Sequence, residues 1–158
     1  NVETCLHVLS TYEEKLKETY EYVENIFGVE SINKNTTILR IDKERIETIV
    51  GLFGRVLDKE TLLGAATSRR SIQEIDEIIA ICNEKNLIIT STIFKQTPYE
   101  VTRIIELWQN NGLRLTGGIF HKTSTELQRL LEYCTEENIP LTSSMLACPL
   151  DELKELVD

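Results

Sequence analysis

The sequence predicts an all-α chain, an α-solenoid of stacked two-helix repeats with a period of 26–30 residues. Three observations predict it. First, Ile75, Ile78, Ile79, Ile81 and Cys82 return 26 residues later as Val101, Ile104, Ile105, Leu107 and Trp108, and again as Leu127, Leu130, Leu131, Tyr133 and Cys134. Self-similarity at a fixed period of this length signals stacked supersecondary units rather than one globular core. Second, the apolar residues of each copy fall at i, i+3, i+4 and i+7, the period of an amphipathic helix. Third, each copy opens on one start signal: Ser71 with Glu74, Thr97 with Glu100, Thr123 with Glu126. In such a capping box the hydroxyl accepts a free backbone N–H and the carboxylate reaches back to the cap.

These signals place long helices over 72–84, 98–110 and 124–136. Pro98 stands at a first helical position, where its missing N–H costs nothing. Asn86, Gly112 and Asn138 mark the ends, being types that tolerate the left-handed conformation of helix C-termini. Thr90, Thr116 and Thr142 then recur ahead of the apolar pairs Ile93-Phe94, Ile119-Phe120 and Met145-Leu146. Each predicts a short helix of one to two turns. Gly117 and Gly118 weaken the middle one by about 1 kcal/mol each relative to Ala, so packing has to compensate. The segments Leu87–Thr90, Leu113–Thr116 and Ile139–Thr142 are expected as turns rather than strands, because Pro140 would remove a ladder hydrogen bond.

Residues 1–70 follow the same logic with looser spacing. Leu16, Thr19, Tyr20, Tyr22 and Val23 match Ile46, Ile49, Val50, Leu52 and Phe53 at a spacing of 30, and Ile46, Ile49 and Val50 match Ile75, Ile78 and Ile79 at 29. Leu9 and Leu39 are expected ahead of their long helices, and Leu62-Leu63 takes the part of the later apolar pair. The expected organisation is a single array over 1–158, with divergent repeats in 1–70 and regular ones in 71–158. A fourth copy begins at Leu153, Leu156 and Val157 and stops at Asp158. With Asn1 in place of Met, that sets the expectation of a fragment of a longer protein.

Composition narrows the function. The 158 residues are 41% hydrophobic and 27% charged, with 17 basic against 26 acidic residues and a formal net charge of −9. A chain this acidic repels phosphate backbones at long range, which disfavours nucleic acid as a partner. No apolar run approaches the roughly 20 residues of a membrane helix, so no membrane partner is expected. The four cysteines form no CxxC pair, and Cys82 and Cys134 share one repeat position on a buried face. Buried free thiols and a cytoplasmic, reducing compartment follow. His7 and His121 show no metal-ligand spacing to Cys or carboxylate, and Gly117-Gly118 lacks the phosphate-loop pattern. No metal, no cofactor and no enzymatic activity are expected. Trp108, at the position of Cys82 and Cys134, reads as a core aromatic.

One distribution stands out. Segments 90–97, 116–123 and 142–149 read TSTIFKQT, TGGIFHKT and TSSMLACP, with no Asp or Glu. The overall composition would put about four acids in them. Stacked, they would form an edge of small, polar and basic residues with Thr92, Lys95, Gly118, His121, Lys122 and Ser144 as contact positions. The leading expectation is a non-enzymatic interaction domain that offers this edge to a protein or peptide partner.

The run Ile38-Leu39-Arg40-Ile41-Asp42-Lys43-Glu44-Arg45-Ile46-Glu47-Thr48-Ile49-Val50 resembles the mitochondrial transcription termination factor (mTERF) family, with its apolar pair, short turn and amphipathic helix. Residues 9–23 carry the same pattern. The resemblance implies a curved helical-repeat architecture and, as the alternative function, nucleic-acid binding. This chain departs from the family in having Thr37 where a Pro is usual, a shorter period in its second half, and acidic charge.

Overall fold

Among the described residues the chain forms nine α-helices and three 3-10 helices and no β-strand. The computed structural model describes the backbone of residues 2–34, 36–149 and 151–152, and the side-chain surroundings of 9–32, 38–149 and 151–152. It divides into two compact units, Asn1–Arg69 and Arg70–Asp158. The division falls where the sequence spacing tightens to 26 residues. The fourth copy, Leu153, Leu156 and Val157, lies outside the described residues.

The first unit comprises α1 (Val2–Phe27), α2 (Val29–Lys34), η1 (Thr36–Arg40), α3 (Lys43–Phe53), α4 (Lys59–Leu62) and α5 (Ala65–Ser68). Thr19, Val23 and Phe27 lie one turn apart on α1 and are buried; α1 packs on α2, η1 and α3. Gly28, at φ +80, stops it. Leu39 precedes α3 as expected, but Leu9 does not precede a helix. It lies inside α1 and is 59% exposed. The physical reason is that residues 1–27 contain no Gly or Pro, so a helix once nucleated propagates through them. Ile46, Ile49 and Phe53 form the buried face of α3. Leu62 and Leu63 are buried together, as expected of that pair.

The second unit runs α6 (Ile72–Glu84), η2 (Ser91–Lys95), α7 (Pro98–Asn110), η3 (Gly117–His121), α8 (Ser124–Glu136) and α9 (Ser143–Ala147). All three long helices have the expected bounds. Ser71, Thr97 and Thr123 are extended and accept the N–H of Glu74, Glu100 and Glu126. The reciprocal carboxylate bond closes at Ser71 (2.8 Å) and Thr123 (2.7 Å). It does not close at Thr97, whose N–H has no such partner, because Glu100 turns to the N–H of Ser124 at 2.8 Å, at the start of the next long helix.

Asn86 (φ 52), Gly112 (φ 68) and Asn138 (φ 55) are all left-handed. In each case the next residue's N–H returns to the third-last helical carbonyl: Leu87 to Cys82 (2.8 Å), Leu113 to Trp108 (3.2 Å) and Ile139 to Cys134 (2.8 Å). This Schellman closure satisfies carbonyls that the helix leaves free and reverses the chain. A residue other than Gly, Asn or Asp is strained there.

The core of this unit is the stripe Ile75, Ile78, Cys82, Val101, Ile104, Trp108, Leu127, Leu130 and Cys134, closed by the apolar pairs of the short segments. Trp108 is a core aromatic, 3% exposed, and donates its indole N–H to Arg114 O at 2.9 Å. One repeat position is not equally buried in its three copies. Ile79 and Ile105 are 7% and 1% exposed, but their counterpart Leu131 is half-exposed. This position sits on the flank of each long helix, so its burial depends on a neighbouring helix. The middle copy, on α7 between α6 and α8, is buried most completely.

Candidate binding edge

The two outer rows of the edge follow from helix type. The apolar pairs at 93–94 and 119–120 are buried, which fixes the inward face of η2 and η3. With three residues per turn, a 3-10 helix eclipses i and i+3. Thr92 and Lys95 therefore share one outward line, and Gly118 and His121 the next. η3 packs against both η2 and α9, which sets these lines side by side. Gly117 explains the close approach: a Cβ there would lie 3.3 Å from Thr90 Oγ1. The weak helix formers at 117–118 are thus tolerated by packing against η2.

Lys95, His121 and Ser144 are exposed, while Thr92, Gly118 and Lys122 are half-buried. Lys95 Nζ lies 3.4 Å from His121 Nδ1. Ser144 shares a 2.9 Å hydrogen bond with Thr142 Oγ1. Lys122 is not simply presented to solvent, since its ammonium donates to Cys148 O at 2.5 Å.

That bond belongs to a series the sequence reading missed. The residue just before each long-helix cap reaches to the end of the following short helix. Arg70 donates to Phe94 O (3.0 Å) and Lys95 O (2.9 Å), Gln96 to Phe120 O (3.1 Å) and Lys122 O (3.3 Å), and Lys122 to Cys148 O. The orphan carbonyls of one short segment are thereby satisfied by its neighbour's side chain. The signal was available: long donor side chains stand at 70, 96 and 122, one period apart.

Electrostatically the two faces differ. Asp76, Glu77, Glu84, Glu106, Glu132 and Glu136 are exposed on the long helices, whereas the short segments carry no acid. His121 is held below its ordinary pKa by partial burial first, then by Lys95 and Lys122. Glu126 is held low by the Thr123 N–H and hydroxyl, and Glu74 chiefly by the Ser71 N–H. Burial raises Cys82 to about 11 and raises Cys134 as well. Cys82, Cys134 and Cys148 are free.

Elsewhere, the first unit holds a cavity of about 550 Å³ lined by Phe27, Val29, Lys59 and Leu63 among others. Its cation is committed, because Lys59 donates to Phe27 O and lies 5.7 Å over that residue's ring. Among the described residues no group of three or more His, Cys, Asp or Glu could hold a metal ion, and no helix is long and apolar enough to cross a membrane. No protein-family model, curated protein or solved structure matches the chain. The mTERF resemblance rests on its residues alone.

Proposed function

We propose that the chain is a non-enzymatic α-solenoid of two-helix repeats whose short-helix edge binds a protein or peptide partner. The observation that carries this reading is the outward line of small and basic residues on adjacent short helices. It is free of carboxylates in a chain of net charge −9. Thr92, Gly118 and Ser144 let a partner backbone approach, and Lys95 and His121 add hydrogen-bonding and charge. Buried free thiols at Cys82 and Cys134 support a cytoplasmic, reducing location.

Site-specific photocrosslinking tests the reading. A crosslinking residue at Thr92 or Ser144 should capture a defined protein, identified by mass spectrometry and reproduced with that protein purified. The same probe at Glu106 or Glu132, on the long-helix face, should not. Capture from the long-helix positions alone would overturn the assignment of the edge. Retention of duplex DNA or RNA with a steep negative salt slope would favour the mTERF-like alternative instead.

A further inference from the structure

Resting on the edge reading above, we infer that the corner formed by Lys95, His121 and Lys122 receives a carboxylate of an acidic peptide segment, and that protonation of His121 strengthens the hold. Lys95 Nζ and His121 Nδ1 are 3.4 Å apart. An ammonium has only donors, so the imidazole offers its Nδ1 lone pair and carries its proton on Nε2. Protonation removes that lone pair and sets two cations face to face. A carboxylate placed between them replaces the lost hydrogen bond and neutralises the repulsion.

The surrounding charges leave this role open. On η2 the charged neighbour is Lys95, whose carbonyl already receives Arg70; Arg70 is itself paired with Glu74 at 3.3 Å. Next to His121, Lys122 adds a third cation and keeps its bond to Cys148 O. The α9 segment SSMLA brings no charge. On α7, Glu100 is held by the Ser124 N–H, Arg103 bonds Tyr99 OH at 3.0 Å, and Glu106 is exposed. On α8, Glu126 is held by the Thr123 N–H and hydroxyl, with Lys122 and Arg129 as its nearby cations. An outside carboxylate supplies what the Lys95–His121 pair lacks, since the charges acting on His121 are those of Lys95 and Lys122. A short acidic segment suits the corner better than a long polyanion, which would meet the repulsion of the whole acidic chain.

The probe is a hexaaspartate peptide, titrated by calorimetry at constant ionic strength from pH 7.5 to 5.5. Over that range histidine is the side chain whose ordinary pKa falls in the window, and the chain has two. Binding should tighten by up to about fivefold, the full factor one unit-charge contact near 4 Å in water supplies once His121 is protonated. By linkage, saturating peptide should raise the His121 NMR titration midpoint by about 0.7 pH. The tightening should vanish in His121→Gln, and Lys95→Met should bind more weakly at every pH, both with unchanged melting. An equal pH profile in His121→Gln, or a midpoint that the peptide does not move, would overturn the inference. Neither result touches the edge reading, which crosslinking at Thr92 and Ser144 judges separately.

Discussion

Truncating Ile105 to Ala tests the packing of the second unit at its most enclosed flank position. Ile105 is 1% exposed on α7, between α6 and α8. The change deletes three buried carbons, worth about 2.4 kcal/mol of transfer free energy at about 0.8 kcal/mol each. A residual cavity adds to this at about 24 cal/mol per Å³, and the full cost should fall within about 2–5 kcal/mol. Leu131→Ala is the internal control, since it occupies the same repeat position but is half-exposed. Its cost should be about half as large or less, because solvent already covers part of the side chain. Urea unfolding followed by the fluorescence of Trp108, the single tryptophan and itself in this core, reads both variants. A loss below about 1 kcal/mol at Ile105, or equal losses at the two sites, would refute the packing argument.

Other predictions follow from local geometry. Gln96→Ala removes a buried donor shared by two carbonyls and should cost about 1–3 kcal/mol in the same urea assay; a neutral result would mean water replaces it. Glu74 and Glu126 have lowered folded-state pKa values, so their stabilisation is present above the unfolded carboxylate pKa and is lost as pH falls through the folded one. The melting temperature should therefore drop on acidification from about pH 5 to 3, and Glu126→Gln should flatten part of that drop. Cys82, fully buried and raised to about 11, should alkylate far more slowly at pH 8 than half-buried Cys148; site-resolved mass spectrometry showing equal rates would contradict the burial. Asn138→Ala holds a residue that has a Cβ but lacks Asn's local hydrogen bonding at φ 55 and should destabilise by about 1 kcal/mol, read as a lowered urea midpoint.

The regular half of the fold was legible because each boundary had its own local chemistry. Hydroxyl caps at 71, 97 and 123 and left-handed residues at 86, 112 and 138 fix both ends of the long helices. The first half was less legible. No Gly or Pro interrupts residues 1–27, so a pattern that matched two elements became one 26-residue helix. At the edge, the outward positions of Lys95 and His121 followed from the buried pairs beside them, and their contact from the 26-residue period. What a side chain does between successive helices was harder to read. Glu100 looked like a cap partner for its own helix and instead serves the next. Lys122 looked like a free contact residue and instead holds Cys148 O. Both choices depend on which acceptor or donor the neighbouring segment brings within reach, and the sequence within one repeat does not specify that.

The proposed edge and the long-helix face would leave different footprints under a bound partner. Amide chemical-shift mapping with a fragment of the crosslinked partner separates the two. Perturbations should centre on Thr92, Lys95, Gly118, His121 and Ser144, with the outer residues Glu77, Glu106 and Glu132 unmoved. Shifts centred on those long-helix residues, with the edge silent, would contradict the assignment of the edge.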